Sequence, residues 1–440
     1  MFPVKTETTW TNWGGTASCA PSQRLVPGSV DELAAAVGAA AERGETVKPA
    51  GAGHSFSEIA VAPQIQLGLS GLRGLRNVDA ARSRVTLGAG THLYEIPALL
   101  EPHGLAMANL GDVDRQTIAG ATSTGTHGTG LGFGGIATQI VGAVLVDGRG
   151  QVRDLGEDHP DLPAAALGLG ALGVLTEITL QCVDAFNLRA VEEPASADEA
   201  IDTFLPRVRE HDHYEFYWFP HTNCALTKTN TRLPAHSPVG GPGRLRRYID
   251  DELLSNGLYR VLCEVSARAP RIVPTVNQVS GRALSARTYT DRSDKVFVSA
   301  RSVRFREMEY AVPLEAVPEV LRELRAMINR RRHKVSFPVE VRAAAADELM
   351  VSTASGRTSG YIAVHRYHHD DPAASKVYFQ DVEDIMTAHE GRPHWGKMHT
   401  RDAEYLSAVY PRFGDFLAVR DRYDPDRTFA NPYLQQVLGR

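Results

Sequence analysis

The chain is short of the features that would place it in several large classes. No run approaches the ~20 apolar residues that span a bilayer, so an integral membrane protein is excluded. Excess positive charge is missing too. Lys and Arg number 47 against 52 Asp and Glu, and the formal net charge of −5 leaves no footprint for nucleic acid or an anionic membrane surface. Cysteine is scarce: Cys19, Cys182, Cys224 and Cys263 stand alone, with no CxxC pair. They read as scattered core thiols of a reducing compartment rather than a disulfide framework. The N-terminal MFPVKTETTW lacks the basic-then-apolar pattern of a secretory signal, and a cytoplasmic location is expected. Neither an internal repeat nor a low-complexity segment is present, which argues against a solenoid.

What is present in excess is glycine, 39 of 440 residues, about 9% against a usual ~7%. The remaining composition, 43% apolar and 22% charged, is that of an ordinary globular protein of two or three domains. The first stretch alternates helix and strand. Ser29 and Glu32 form an S-x-x-E capping box ahead of a helix over 31–43, with Gly44 at its C′ position. Val47-Lys48-Pro49, Ile65–Leu69, Leu75–Val78 and Arg84–Leu87 are short strand candidates. Thr91 is placed as the cap of a helix through Leu100, and a hairpin joins Ile140–Val146 to Gln151–Leu155. After Cys182 the aromatics and long polar segments predominate. There Val317–Arg330 reads as an amphipathic helix, and Phe337–Val341 and Tyr361–Val364 as strands. The loop Pro234–Arg244 carries turn chemistry, and the tail from Asp402 reads as helix until Asp424-Pro425-Asp426 breaks it.

Three glycine motifs carry the chemistry. Gly168-Leu169-Gly170-Ala171-Leu172-Gly173 spells G-x-G-x-x-G, but it follows a helical run and precedes a strand. A nicotinamide site needs the reverse, so a close-packed helix-to-strand turn is the better reading. Gly51-Ala52-Gly53-His54-Ser55-Phe56 follows a strand, and its glycines allow backbone N–H groups to turn around an anion such as a diphosphate. The third, Gly111–Gly135, holds eight Gly, five Thr and one Ser in 25 residues. It is too poor in bulk to supply a core, and Ile118 to Ala121 read in strand-like register. A long, charged, hydroxyl-bearing cofactor fits it better than a linker does. The 16 histidines include His211-Asp212-His213 and the run His365 to Asp371, but without HExxH-type spacing or a cysteine pair; no metal site is expected.

GAGHSF, GDVDRQTIAGATSTGTHGTG and LGLGALGVLTEITL occur in the order and spacing of vanillyl-alcohol-oxidase-type FAD flavoproteins. The chain resembles more narrowly the sugar-1,4-lactone oxidase group (L-gulono- and D-arabinono-lactone), through Phe337 to Arg342, His394-Trp395-Gly396-Lys397 and Asp424 to Arg427. The resemblance implies an α+β architecture. A two-subdomain FAD-binding domain would comprise 1–182 joined by 392–440, with an α+β cap over 183–391 built on an antiparallel sheet. It also implies that Gly51, Ala52, Gly53, His54, Ser55 and Phe56 wrap the FAD pyrophosphate, with His54 joined covalently to the flavin. Asp112 and Thr117 belong to the same implied cofactor set. Gly120, Ala121, Ser123, Thr124, Thr126, His127 and Gly128 would line the cofactor, and Val174 and Ile178 would meet its adenine end. Gly111 would leave dioxygen room beside the flavin, leaning toward an oxidase over a dehydrogenase.

Glu340 and Arg342, two apart on a strand candidate, share a face and match the family's Glu-Arg pair. Arg would hold substrate oxygens, while Glu340 would orient the hydroxyl or accept its proton. Lys397 is a second cation near the flavin and His365 a substrate-side histidine, with His394 and His399 as lesser contacts. The implied reaction oxidises the C2 hydroxyl of an aldono-1,4-lactone, with dioxygen or a one-electron acceptor taking the electrons. Three rivals remain: an alditol oxidase acting on xylitol or sorbitol, a nicotinamide enzyme using Gly168–Gly173, and a non-catalytic flavin carrier.

Overall fold

The computed structural model describes residues 9–241, 259–299 and 303–440. Ser29 caps helix α1 (Val30–Glu42) by accepting the Glu32 N–H, while the Glu32 carboxylate reaches one residue further back, to the Gly28 N–H. Gly44 stands at φ +65° just past the helix end, a conformation that costs glycine nothing. Strands β1 (Gln23–Leu25), β2 (Val47–Ala50) and β3 (Ile65–Gly68) form a parallel sheet in the order β1-β3-β2, which α1 connects. Strands β4 (Leu75–Asp79), β5 (Arg84–Gly88), β6 (Ile140–Val146), β7 (Val152–Leu155) and β8 (Val174–Gln181) form an antiparallel sheet ordered β7-β6-β8-β5-β4. One apolar core joins the two sheets.

Several local expectations need correction. Thr91 is not the cap of the following helix; its hydroxyl donates to the Gly88 carbonyl. His92 takes the N-cap position, with Glu95 accepting its N–H, and Pro97 confines the α-helix to Ile96–Leu100. Ile118 to Ala121 are helical, not extended. They open helix α2 (Ile118–Thr124), which Thr117 caps by accepting the Gly120 N–H and Gly125 ends at φ +82°. Small residues allow this short helix to press against its neighbours. The C-terminal tail breaks earlier than expected and resumes later, as α5 (Ala403–Val409), α6 (Phe413–Tyr423) and α7 (Pro432–Leu438), after α3 (Val317–Arg331) and α4 (Pro372–Ala388). In the loop expected at 234–244, Gly240 bridges to Thr290, and 242–244 lie outside the described residues.

The second half is an eight-stranded antiparallel sheet. Its strands are β9 (Phe186–Ser196), β10 (His213–Phe219), β11 (Cys224–Pro234), β12 (Arg287–Arg292), β13 (Phe305–Pro313), β14 (Val339–Ala344), β15 (Ser359–Tyr367) and β16 (Arg392–Pro393). They lie in the order β12-β9-β11-β10-β14-β15-β13-β16. Alternation gives the sheet two chemistries. Phe216, Trp218, Val339, Val341, Met308, Val312, Ile362 and Val364 pack under Val317, Leu321 and Leu324 of α3 and Phe379 and Val382 of α4. Burying each of these side chains is worth roughly 1.5–3 kcal/mol. The intervening positions turn Glu215, Glu340, Arg342, Glu307, Glu309 and His365 to the opposite face. The fold is α+β, and no helix of the described residues is long and apolar enough to cross a membrane.

Candidate active site

Two cavities adjoin, the narrower within the first half and the wider between the halves. A narrow one of about 80 Å³ and a wide one of about 660 Å³ share His54, Ser55, Gln116 and Thr124 on their walls. The narrow slot is lined by Gly51, Ala52, Gly53, Thr117, Gly120 and Ser123, with Lys48 at its side, and it contains no Asp or Glu. A Cβ on Gly51 would lie 2.5 Å from the Thr117 hydroxyl oxygen, and Gly53 holds φ +73°, so bare backbone is required there. A carboxylate-free slot walled by backbone and hydroxyls suits a diphosphate-bearing cofactor; Lys48 beside it donates to the Gly170 and Phe429 carbonyls, and burial lowers its pKa to about 7. Gly168–Gly173 forms the turn into β8, with Leu169 at φ +56° and Gly170 at φ +59°. It contributes Gly170 and Gly173 to the slot.

Phe56, Gly111, Asp112, Thr126, His127, His365, Glu340, Arg342 and Lys397 line the wide cavity. Four expected cofactor residues do not reach either wall. Val174 and Ile178 are fully buried on the core side of β8, and the slot is lined instead by Gly173 and Leu175, one position out of phase. Ala121 faces the core. Gly128 is a packing glycine, since a Cβ there would lie 2.3 Å from the Leu110 carbonyl. The Thr124 hydroxyl lines both cavities, but donates to the Gly120 carbonyl of its own helix.

The cavity face of the sheet is an ion-pair network. Arg342 Nε donates to Glu215 Oε2 at 2.7 Å, and its guanidinium pairs with Glu340 and lies 3.6 Å from Asp112. Lys228 stands 3.6 Å from the other oxygen of Glu215. Burial opposes the charge on Arg342, but Glu340 and Glu215 outweigh it and raise the pKa well above the usual arginine value. On the next strands Lys397 pairs with Glu307, and His127 Nε2 lies 3.2 Å from Glu309 Oε1. Burial pushes Glu309 up, but the pull of His127 prevails and brings it to about 2. His54 stacks on Trp13, ring centroids 5.7 Å apart. Burial, then the charges of Lys397, Arg115 and His92, lower its pKa to about 4, so it is neutral at pH 7.

Glu215, Lys228, Glu307 and Glu309 escaped sequence reading. Their legible trace is period two, with Glu307 and Glu309 alternating with Met308 and Tyr310, but their partners come from other strands. His394 lines the wide cavity, whereas His399 bonds Tyr433 at 2.7 Å in the core. Among the described residues one group, His127, Glu309 and His394, brings possible ligand atoms within reach of one another. His127 Nδ1 faces the Gly128 carbonyl at 2.9 Å, and His394 Nδ1 accepts the Gly396 N–H at 3.0 Å.

A glycine-walled slot opens onto a buried Glu-Arg sheet face, and two family matches make the chain an FAD-dependent oxidoreductase. Residues 21–156 match the FAD binding domain family, and 178–437 match the D-arabinono-1,4-lactone oxidase family; the chain belongs to the latter. Among similar proteins, L-gulono-1,4-lactone dehydrogenase of Mycobacterium tuberculosis is 41% identical over 430 residues, covering 98% of this chain and 99% of its own. L-gulonolactone oxidase of Bos taurus is 30% identical, covering 97% of both. Cholesterol oxidase from B. sterolicum shares the fold at a TM-score of 0.81 and 18% identity, over 99% of this chain and 97% of its own.

Proposed function

We propose that the chain oxidises the C2 hydroxyl of an aldono-1,4-lactone of the L-gulono or D-arabinono type. The observation that carries this is the buried Glu215–Arg342–Glu340 cluster on the wall of the cavity into which the carboxylate-free slot opens. Bound FAD supplies the hydride acceptor. Residues 1–182 with 392–440 hold it, and 183–391 present the substrate face. His54, neutral and at the junction of the two cavities, forms the covalent attachment. Arg342 binds the substrate oxygens and stabilises charge developing on them, as preorganised donors do. Glu340 accepts a hydrogen bond from a substrate hydroxyl and sets its orientation. Lys397, whose ammonium Glu307 and Glu309 keep charged against the cost of burial, faces the cofactor with positive charge. Four free thiols, at Cys19, Cys182, Cys224 and Cys263, agree with a cytoplasmic setting.

Anaerobic addition of L-gulono- or D-arabinono-1,4-lactone is expected to bleach the flavin of the purified protein, and xylitol or sorbitol is not. Bleaching by the open-chain polyols alone would replace this reading with an alditol oxidase.

Dioxygen or another acceptor then reoxidises the cofactor, and Gly111 bears on which. A Cβ there would stand 3.0 Å from the His127 carbonyl and 3.3 Å from Thr126 Cγ2, so alanine would press on the 126–127 segment that lines the cavity. Gly111→Ala is expected to slow reoxidation by dioxygen ~10-fold, about 1.4 kcal/mol of barrier, while reduction by lactone changes less than twofold. Stopped-flow measurement of the two half-reactions separates these effects. Equal effects on both would dissociate Gly111 from oxygen access.

A further inference from the structure

Oxidation of a hydroxyl must deposit its proton somewhere, and the cavity distinguishes among its buried groups. Glu340 is paired with Arg342, whose guanidinium matches its charge and makes the carboxylate a poor proton acceptor. Lys397 is held in its protonated form.

His365 is different. It lies on β15 directly opposite Glu307 of β13, and it is 3% exposed. Its Nδ1 is 3.2 Å from the Pro338 carbonyl oxygen. A carbonyl only accepts, so Nδ1 carries the hydrogen and Nε2 of the neutral ring keeps its lone pair. That Nε2 stands 3.6 Å from Glu307 Oε1. The gap is too long for a hydrogen bond, yet close enough for the carboxylate to favour a positive charge arriving on the ring. Phe305 meets the ring edge-on at 5.0 Å and Phe337 stacks at 6.0 Å, so it is held in this orientation. Burial opposes ionisation of Glu307, but the ammonium of Lys397, its ion-pair partner, holds its carboxyl well below the usual range.

We propose that His365 Nε2 accepts the proton of the substrate hydroxyl and that Glu307 is the positioning residue that stabilises it there. The inference rests on the lactone reading above. As the O–H bond breaks, its proton passes to Nε2 and its electron pair becomes the second C2–O bond. The C2–H bond breaks with its pair leaving as hydride to the bound flavin, so the substrate loses two electrons and two hydrogens. The cavity that His365 lines also carries Glu307 and Glu309 from β13, Glu340 and Arg342 from β14, Lys397 following β16, Arg260 from the helix Tyr259–Arg268, and Asp112, Asp114, Arg115, Asp294 and Lys295.

The test uses holoenzyme reduced anaerobically by L-gulono-1,4-lactone across pH, with the visible spectrum confirming bound flavin. His365→Asn keeps a donor for the Pro338 carbonyl but no base. It is expected to lower the saturated reduction rate about 100-fold, leave the lactone Kd within threefold, and abolish the acid limb of the pH profile. Glu307→Gln is expected to slow reduction about tenfold with the lactone Kd within threefold, and Glu307→Asp to restore the rate. Independently, 15N spectra of histidine-labelled wild type, assigned by difference from His365→Asn, should show Nδ1 protonated and Nε2 bare. Retention of the acid limb and of the rate within threefold in His365→Asn overturns the proposal, as does a hydrogen on Nε2 at rest. A wild type that no lactone reduces overturns the functional reading instead, while the spectra still decide the protonation state.

Discussion

Arg342→Met is expected to lower the rate of flavin reduction by lactone by ~10²–10³ or more, the loss seen when one donor to a developing oxyanion is removed. The effect exceeds that of a lone contact because three carboxylates converge on this guanidinium: Glu215 at 2.7 Å, Glu340, and Asp112 at 3.6 Å. Without the cation they face one another in a buried site with Lys228 as the nearest positive charge, 3.6 Å from Glu215. Removing one partner of such a buried set costs about 3–5 kcal/mol of stability, so the melting temperature falls as well. Arg342→Lys separates the two losses. A single ammonium neutralises part of the cluster but cannot serve Glu215 and Glu340 in a planar fork, so stability recovers more than activity. Anaerobic stopped-flow reduction and thermal unfolding measure the pair. Wild-type reduction in Arg342→Met would remove the cluster from the chemistry.

His54→Ala carries the second large effect. Wild-type protein precipitated with acid is expected to keep its yellow colour in the pellet, and the variant to release it to the supernatant. A bond from imidazole to the flavin needs a nitrogen lone pair. Burial and the neighbouring cations of Lys397 and Arg115 supply that by holding His54 neutral above about pH 4. Such a bond would raise the flavin potential, which favours withdrawing electrons from an alcohol carbon. Each 30 mV lost in a two-electron couple costs about 1.4 kcal/mol, or tenfold in the reduction equilibrium. The variant should therefore bind FAD reversibly and be reduced less completely by the same lactone. Release of flavin from the wild type would show that the attachment is non-covalent, with the slot unchanged.

The glycine-walled slot was the more legible cavity because its determinants are contiguous. GAGHSF follows a strand, and positions 51 and 53 need glycine for reasons of backbone conformation and close approach that a short motif records. The limit appears at Val174 and Ile178. Gly173 and Leu175 line the slot while Val174 and Ile178 on β8 are fully buried, and one residue of phase exchanges core for cavity. Ile118 to Ala121 show the complementary failure. Small residues carry no clear period, and the decisive cap, Thr117 on the Gly120 N–H, outweighed a strand-like appearance.

Glu340 and Arg342 were visible as a pair because they are two apart on one strand. Glu215, Lys228, Glu307 and Glu309 acquire meaning only when β10, β11, β13, β14 and β15 pair in register, which brings residues 127 positions apart into contact. The sequence by itself determined the local devices: which turns need glycine, which strand faces alternate, and which loop can surround a diphosphate. These follow from dihedral preference and side-chain period within a few residues. Only the tertiary structure decided which buried carboxylate meets which cation, and so which groups stay charged and which histidine nitrogen stays bare. Those depend on interaction energies that change steeply with distance and burial, and neither quantity exists until the sheet has closed over the cavity.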